Sequence, residues 1–160
     1  MRFLAIDLGD KRTGLALGDL ITRVVSPLEV VELARDAAGG SALFEAIARA
    51  VADQLGPPRK AATPLAAGGL VVGLPLNMDG SEGPRAKIAR EFGAAIAART
   101  GHHVWFQDER LTSAQADWDM SQSGMTRGEK KKRRDALAAS ALLSDFLAQS
   151  ARPSSDPDAG

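Results

Sequence analysis

The stretch from Phe3 to Asp19 constrains the fold of this chain more than any other part of the sequence. It begins with apolar residues at consecutive positions, which is typical of a central strand covered on both faces. A turn and a second apolar run follow, and Gly9 and Gly14 are expected to shape the resulting hairpin. Asp7 lies inside the first run, where a charged group is costly unless another group offsets it. We therefore predict that Asp7 takes part in the chemistry and that the fold brings other functional residues to it.

The length and composition are those of one globular domain with a hydrophobic core. The chain has 160 residues, of which 44% are hydrophobic, and we expect a single domain over 1–150 with a disordered tail over 151–160. It contains no cysteine, so disulfide frameworks and thiolate zinc sites are excluded. The sequence has neither an apolar run long enough for a membrane span nor a signal-peptide pattern, so the expected location is cytoplasmic.

The formal net charge is zero, but positive charge is concentrated in one segment. Residues 127–134 contain six basic side chains and one acidic side chain. A polyanion such as a nucleic acid would meet this segment first. The alternative is that the segment is an ordinary solvated loop or helix face.

Apolar patterning predicts three strands followed by alternating helices and strands. The third strand surrounds Pro27, which favours a sheet edge because proline cannot donate a hydrogen bond to a central ladder. The remaining predictions are helices over about 41–55, 84–99, 112–124 and 134–149, strands over 70–74 and 103–106, and an irregular loop over 57–69. The helix over 112–124 is indicated by the capping-box pair Thr112 and Gln115. The fold class that follows is α/β: a mixed five-stranded sheet, antiparallel in its first three strands and parallel in its last two, flanked by helices.

Three acids lie where this fold can bring them together. Asp7 is in the carboxyl half of the first strand, Glu109 follows the fifth strand, and Asp135 is expected in the first turn of the last helix. Sites in open α/β sheets form at the carboxyl ends of the strands. Three carboxylates there repel one another unless they hold cations, and hard oxygen ligands favour Mg²⁺ or Mn²⁺. Two such ions about 4 Å apart can activate water and stabilise a leaving oxygen, as phosphodiester hydrolysis requires.

Each of these residues also has a simpler interpretation. Asp7 could be a turn residue, and Glu109 and Asp135 could be helix N-terminal charges stabilised by the helix dipole. Arg110 could contact a phosphate or pair with Asp7 or Asp135, and the sequence leaves these alternatives open. Other polar residues are interpreted as structural: turn or surface acids at Asp10, Asp19 and Asp79, and structural or solvent-facing histidines at His102 and His103.

Four segments resemble the signatures of the YqgF (RuvX-type) family, in the family's order and across nearly the whole chain. They are Asp7–Asp19, Val72–Gly80, Asp108–Ser113 and Asp135–Leu143. The resemblance implies an RNase H-like fold related to the RuvC Holliday-junction resolvases. It also implies a bacterial cytoplasmic protein that acts as a pre-16S rRNA nuclease in 5′-end maturation.

The same resemblance assigns roles to individual residues. It places the metal-binding acids at Asp7, Glu109 and Asp135, and a phosphate or substrate loop at Arg12, Asn77, Asp79 and Gly80, with Arg110 beside the acids. The loop over 56–69 is longer and richer in Ala and Pro than is usual in the family, and Ala136 stands where lysine is more usual. Neither departure touches the expected metal ligands.

The leading hypothesis is a metal-dependent endonuclease that acts on structured RNA. Its partner would be pre-16S rRNA or a small-subunit precursor particle, with no membrane partner, and it would work as a monomer or homodimer. Its cofactors would be Mg²⁺ or Mn²⁺, as two ions held by the three acids. The predicted nucleic-acid-binding residues are Arg12, Asn77, Arg110, Arg127, Lys130, Lys131, Lys132, Arg133 and Arg134.

Two alternatives remain beside this hypothesis. The first keeps the chemistry but changes the substrate to branched DNA, such as a Holliday junction. The second is a non-catalytic RNA-binding factor in ribosome assembly or transcription, in which the acids are structural and only the basic segment is functional.

Overall fold

The computed structural model describes residues 1–36, 40–110 and 126–151, in which five strands and four helices are found. The strands are β1 (Arg2–Leu8), β2 (Thr13–Asp19), β3 (Val25–Val31), β4 (Gly69–Leu74) and β5 (Val104–Asp108). The helices are α1 (Ser41–Leu55), α2 (Pro64–Ala67), α3 (Pro84–Thr100) and α4 (Arg127–Ser150). The predicted helix over 112–124 and nearly all of the predicted tail lie outside the described residues. Within those residues, no helix has the length and apolar character that a membrane crossing requires.

The strands form one mixed sheet in the order β3-β2-β1-β4-β5. The hairpin predicted at the N-terminus is β1 paired antiparallel with β2, in a register that sets Asp7 opposite Gly14. On its other side β1 pairs in parallel with β4, which pairs in parallel with β5. The sheet predicted from the sequence is therefore confirmed, with β1 at its centre. The carboxyl ends of β1, β4 and β5 lie at one edge, called the carboxyl edge below.

Pro27 lies on an edge strand, as its missing amide hydrogen predicts. β3 pairs antiparallel with β2, and the register shifts along it. Glu29 is opposite Leu15 while Pro27 is opposite Ala16. Leu28 is therefore an extra residue in β3, and the resulting bulge makes the edge irregular.

Helices cover both faces of the sheet, which explains why β1 is apolar at consecutive positions. Leu4 and Ile6 face a core shared with α1 and α3. Phe3 and Ala5 face a second core, shared with α4. All four side chains are fully buried. Because side chains alternate along a strand, Asp7 belongs to the face that α4 covers.

The loop predicted over 57–69 is partly regular. Thr63 accepts a hydrogen bond from the Ala66 amide at 3.2 Å and caps the short helix α2, which begins at Pro64. Strand β4 then starts at Gly69. The prediction of an irregular loop was wrong there, because a Thr-Pro pair supplies both an N-cap and a favoured first helical residue.

The basic segment is the start of a helix, and the predicted helix boundary at Arg134 was wrong. α4 begins at Arg127 and is capped by Thr126, whose hydroxyl accepts from the Glu129 amide at 3.4 Å. The Glu129 carboxylate accepts from the Thr126 amide at 3.2 Å, which completes a capping box. Lysine and arginine are good helix formers, so the basic residues continue the helix rather than interrupt it.

α4 runs antiparallel to β1. The Asp135 backbone lies against Gly14, and the Leu143 side chain lies against Gly18. These glycines are the β2 partners of Asp7 and Phe3, which mark the carboxyl and amino halves of β1. The eight helical residues that precede Asp135 span about 12 Å, at about 1.5 Å per residue, and therefore extend past the end of β1.

Candidate active site

The carboxyl groups of Asp7 and Glu109 meet at the carboxyl edge of the sheet. Asp7 is the next-to-last residue of β1, and Glu109 directly follows β5, where its amide donates to the Leu74 carbonyl at 3.3 Å. The two side chains are half-buried and hydrogen-bond each other. The Glu109 carboxyl lies over Gly73, where a Cβ atom would overlap its Oε1. The lack of a side chain at position 73 thus gives Glu109 the room to reach Asp7.

A hydrogen bond between two carboxyl groups needs a proton, and the pKa values indicate where it lies. Burial raises the pKa of Asp7, although the hydrogen bond to Glu109 and the positive charge of Arg85 act in the opposite direction. Burial, and then the negative charge of Asp7, raises the pKa of Glu109 to about 9. Both pKa values are raised, so near neutral pH the pair keeps one proton, which the two carboxyl groups share.

Asp135 lies on the helix that covers the same face. Its carbonyl oxygen would be overlapped by a Cβ atom at Gly14, the cross-strand partner of Asp7. The expectation that Asp135 lies in the first turn of its helix was wrong, because α4 begins at Arg127, and the dipole explanation no longer applies to it. Among the described residues, no three His, Cys, Asp or Glu side chains are grouped closely enough to hold a metal ion. The structure brings the side chains of Asp7 and Glu109 into contact. It places the backbone of Asp135 against β2, the strand that neighbours Asp7 in the sheet.

The donor set nevertheless fits a hard divalent cation. Both groups that meet are carboxyls, the kind of oxygen donor that Mg²⁺ and Mn²⁺ prefer. A cation bound to the pair would replace the proton that the two carboxyl groups share, because it supplies the positive charge that the pair otherwise obtains by protonation. The position of Asp135 on the facing helix makes it the candidate third ligand.

The loop over 76–82, predicted to contact the substrate, is held by its own hydrogen bonds. The Asn77 amide donates to the Ser81 carbonyl at 2.9 Å, and the Asn77 side chain donates to the Ser81 hydroxyl at 3.0 Å. Asp79 accepts from the Ser81 amide at 2.9 Å, which confirms its interpretation as a turn residue. Asn77 is exposed, and it lies just beyond the carboxyl end of β4.

Arg110 pairs with Asp108, a partner that the sequence did not suggest. Its guanidinium donates to the Asp108 carboxylate at 2.7 and 2.9 Å and to the Met78 carbonyl at 3.3 Å. The hydrogen bonds from Arg110 lower the pKa of Asp108. Arg110 is thereby fixed between Glu109, its neighbour in the chain, and the loop over 76–82. Its side chain remains 32% exposed, so a phosphate can still reach it.

The predicted nucleic-acid-binding residues lie at or beyond the same edge. Arg12 is half-buried in the turn between β1 and β2. Arg127, Arg133 and Arg134 are exposed in the part of α4 that extends past β1. The side chains of residues 130–132 lie outside the described part of the structure. Positive charge thus flanks the acid pair on two separate elements.

Two arginines at the acid pair were not among the predicted site residues. Arg35, which follows β3, and Arg85, in the first turn of α3, line a cavity of about 210 Å³ together with Asp7 and Glu109. The position of Arg85 could have been inferred, because a helix that follows a parallel strand begins at the carboxyl edge, where sites form. Arg35 offered no such signal, since it lies in an irregular segment.

Other polar groups lie away from this edge. A larger cavity of about 560 Å³ lies between the C-terminal ends of α1 and α3 and contains none of the three acids. His102 lines it, and its Nε2 is 2.9 Å from the Gly56 carbonyl oxygen, in agreement with the predicted structural role. Asp19 accepts hydrogen bonds from the Ile21 and Thr22 amides at 2.8 and 3.0 Å, which confirms it as a turn residue.

Comparison with known proteins places the sequence in a family. A family profile described as RuvX, Holliday junction resolvase, matches residues 1–149. The chain belongs to the RuvX family. Two relatives, from Lactococcus lactis subsp. cremoris (strain MG1363) and Anaeromyxobacter sp. (strain Fw109-5), are each named "Putative pre-16S rRNA nuclease" and are 34% and 39% identical to it. The matches cover 91% and 92% of this chain, and 93% and 96% of the two relatives.

Junction resolvases are among the solved structures that share the fold of this RuvX protein. Thermus thermophilus RuvC superposes with a TM-score of 0.53 at 13% identity, over 94% of this chain and 97% of that one. Fowlpox virus resolvase, solved with Holliday junction DNA, superposes with a TM-score of 0.55 at 14% identity, over 95% of this chain and 100% of that one. At such low identity the similarity establishes the fold, and it confirms the predicted RNase H-like class.

Proposed function

We propose that this RuvX protein is a divalent-metal-dependent endonuclease that hydrolyses phosphodiester bonds in structured RNA. Its proposed role is the maturation of the 5′ end of pre-16S rRNA, within ribosome biogenesis in the cytoplasm. The observation that carries the proposal is the contact between Asp7 and Glu109 at the carboxyl edge, on the face that α4 covers. The names of the two relatives supply the substrate.

Asp7, Glu109 and Asp135 are the residues that would hold Mg²⁺ or Mn²⁺. When bound, such ions activate water for attack on phosphorus and stabilise the leaving oxygen. Asp7 and Glu109 are already oriented towards each other, because β1 and β5 end at the same edge and Gly73 leaves the space between them clear. A bound cation would favour loss of the proton that the pair shares, so Asp7 and Glu109 would both be anionic ligands.

The positive residues around the acids would bind the nucleic acid backbone. Arg127, Arg133 and Arg134 extend the contact surface beyond β1 along α4, and Arg12 and Arg110 lie nearer to the acids. Contacts of this kind release counterions, so the affinity for RNA should fall steeply as salt is added.

Cleavage of a precursor rRNA 5′ fragment in Mg²⁺ or Mn²⁺ tests the proposal. Asp7→Asn and Glu109→Gln should each lower the cleavage rate by more than the roughly hundredfold that loss of an outer-shell partner costs a metal site. Asp53→Asn is the matched control, since Asp53 is an exposed acid on α1. Full activity in Asp7→Asn would falsify the assignment of the site.

A second candidate substrate is branched DNA, and the family description as Holliday junction resolvase favours it. The same acids and the same basic helix would serve either substrate, because RNA and DNA junctions share a phosphodiester backbone. Cleavage of a four-way DNA junction and of precursor rRNA should be compared side by side at equal salt and metal concentration. A clear preference for the junction would replace the RNA assignment. If the protein cleaves neither substrate and binds no divalent cation, it is a non-catalytic binding protein.

A further inference from the structure

Arg35 and Arg85 approach the acid cavity from different elements and converge on one carboxylate. The Arg35 guanidinium lies 2.9 Å from Asp10 Oδ1, and the Arg85 guanidinium lies 3.7 Å from the same oxygen. The backbone of Arg35 is fixed as well, because its amide donates to the Asp10 carbonyl at 2.9 Å. Asp10 is the surface turn residue that the sequence predicts. Its carboxylate shows that the two guanidinium groups can share a single anionic oxygen.

These ion pairs add little to the stability of the fold. The side chains of Asp10 and Arg85 are 64% and 65% exposed, and pairs this exposed contribute about 0–1 kcal/mol. Neither arginine belongs to the two hydrophobic cores. Stability therefore does not account for two arginines at the mouth of the acid cavity, and a ligand is the better explanation.

The charge of this cluster suits a phosphate. A substrate backbone that approaches the acid pair meets negative charge, and Arg85 is near enough to oppose it, since it lines the same cavity as Asp7 and Glu109. One carboxylate shared by two guanidinium groups leaves the cluster of Asp10, Arg35 and Arg85 with net positive charge. A guanidinium also presents its N–H groups in a planar fork that matches phosphate oxygens.

We propose that Arg35 and Arg85 form a phosphate subsite that binds a backbone phosphate of the nucleic acid beside the acid pair, at the position where Asp10 Oδ1 lies in the structure. The proposal rests on the proposed nuclease function and deepens it. A phosphate oxygen replaces Asp10 Oδ1 between the two guanidinium groups, and the Asp10 side chain, which is 64% exposed, turns out into solvent. The backbone is then held from the α3 side of the sheet as well as from α4.

Binding of a labelled precursor rRNA 5′ fragment tests the subsite independently of cleavage. The full chain carrying Asp7→Asn is titrated at salt concentrations of roughly 50 to 200 mM. Adding Arg85→Ala or Arg35→Ala should weaken binding several-fold and flatten the slope of log K against log salt by roughly 0.7 to 0.9 for the lost phosphate contact. Lys87→Ala is the matched control, because Lys87 is on the same helix, is 79% exposed and pairs with Glu91. It should leave the slope unchanged.

Two further variants at position 85 separate the effect of the positive charge from the effect of removing the side chain. Arg85→Lys keeps the charge but not the fork, so it should keep the slope and lose part of the affinity. Arg85→Gln keeps most of the length and removes the charge, and it takes the place of Arg85→Ala if circular dichroism shows that variant to be unfolded. If the slopes of log K against log salt for the uncharged variants equal the slope for Lys87→Ala, the subsite proposal is overturned.

Cleavage by the wild-type chain separates this proposal from the nuclease function. If the wild type cleaves and the arginine variants bind with unchanged slopes, the subsite alone is wrong. If the wild type cleaves neither RNA nor junction DNA, the nuclease function is wrong whatever the slopes. If Arg85 only offsets the charges of Asp7 and Glu109, Arg85→Ala should tighten Mn²⁺ binding in calorimetry with no change of slope, and that result also overturns the subsite.

Discussion

At position 7, a carboxyl group is tolerated within an apolar strand because its neighbours offset the cost of burying it. Its carboxyl group shares a hydrogen bond with that of Glu109, and Arg85 contributes positive charge. The sequence alone shows that Asp7 needs partners, because the apolar residues that surround it can be seen in the chain without knowledge of the fold. The contact with Glu109 also depends on Gly73, whose contribution is the side chain it lacks.

Gly73→Ala should therefore abolish activity while leaving the fold largely intact. The added Cβ atom would overlap Glu109 Oε1, the far end of a flexible side chain that can swing away, so Glu109 loses its contact with Asp7. We expect the cleavage rate to approach that of Glu109→Gln and the urea midpoint to change little. Gly18→Ala is the control, since the atoms nearest to its Cβ atom would belong to the side chains of Leu143 and Val25. A fully active Gly73→Ala protein would contradict this account of the site.

The metal-free protein should lose stability as pH rises, because the pKa values of both Asp7 and Glu109 are raised in the folded state. The folded-state pKa of Glu109, about 9, lies above its ordinary value of 4.5, so the folded chain holds a proton that the unfolded chain releases across this interval. The contribution of Glu109 to stability is therefore greatest at acid pH and is lost as pH rises to 9.

Glu109→Gln removes this titration. The unfolding free energy of the Gln variant, relative to the wild type, should increase from about pH 5 to about pH 9. Urea unfolding in the presence of a chelator measures the difference at each pH. If the difference in unfolding free energy between the two proteins is the same at about pH 5 and at about pH 9, Glu109 titrates normally in the folded protein.

Among the elements, α4 is the one in which the structure differs most from the sequence-based prediction. The sequence predicts the start of this helix at about 134, whereas the structure has it at Arg127. The capping box of Thr126 and Glu129 is nevertheless a readable start signal, of the same kind that indicated a helix at Thr112. Because the helix begins earlier than predicted, Asp135 lies within it and against the sheet, and not at the helix end. The basic residues are part of the same helix.

Gly14→Ala should separate α4 from the sheet. Its Cβ atom would overlap the carbonyl oxygen of Asp135, and a backbone atom cannot move aside without shifting the helix. Overpacking of this kind costs about 1–3 kcal/mol, and we expect a larger loss of activity because Asp135 moves too. Gly18→Ala lies on the same strand and face but meets the Leu143 side chain, which can rotate, so it should cost less. Equal effects of the two substitutions on unfolding and on cleavage would count against close packing at Gly14.

At the level of the whole molecule, the site exists because the topology brings distant segments to one edge. The hairpin supplies Asp7, the parallel strands β4 and β5 supply Gly73 and Glu109, and α4 closes the face with Asp135. The arginines of the proposed subsite come from the segment after β3 and from α3. Any divalent cation held there would join elements from both ends of the chain, so binding should be coupled to global stability.

Millimolar Mn²⁺ or Mg²⁺ should therefore raise the melting temperature of the wild type. A ligand at a hundred times its Kd stabilises the folded state by about 2.7 kcal/mol. Asp7→Asn and Glu109→Gln should show a smaller shift, whereas Asp53→Asn should respond like the wild type. A shift of the same size in all four proteins would mean that the cation binds elsewhere, and no shift in the wild type would remove the metal site from the proposal.

The sequence by itself determined the strands, the long helices α1 and α3, and the order of antiparallel and parallel pairing. These follow from local patterns: consecutive apolar residues in β1, the missing amide hydrogen of Pro27, and glycines and prolines at the helix ends. It also named Asp7 and Glu109. Only the tertiary structure decided which side chains touch. The pairing of Arg110 with Asp108, the room that Gly73 leaves, and the convergence of Arg35 and Arg85 on Asp10 depend on distances between separate elements, and periodicity along the chain carries no information about those distances.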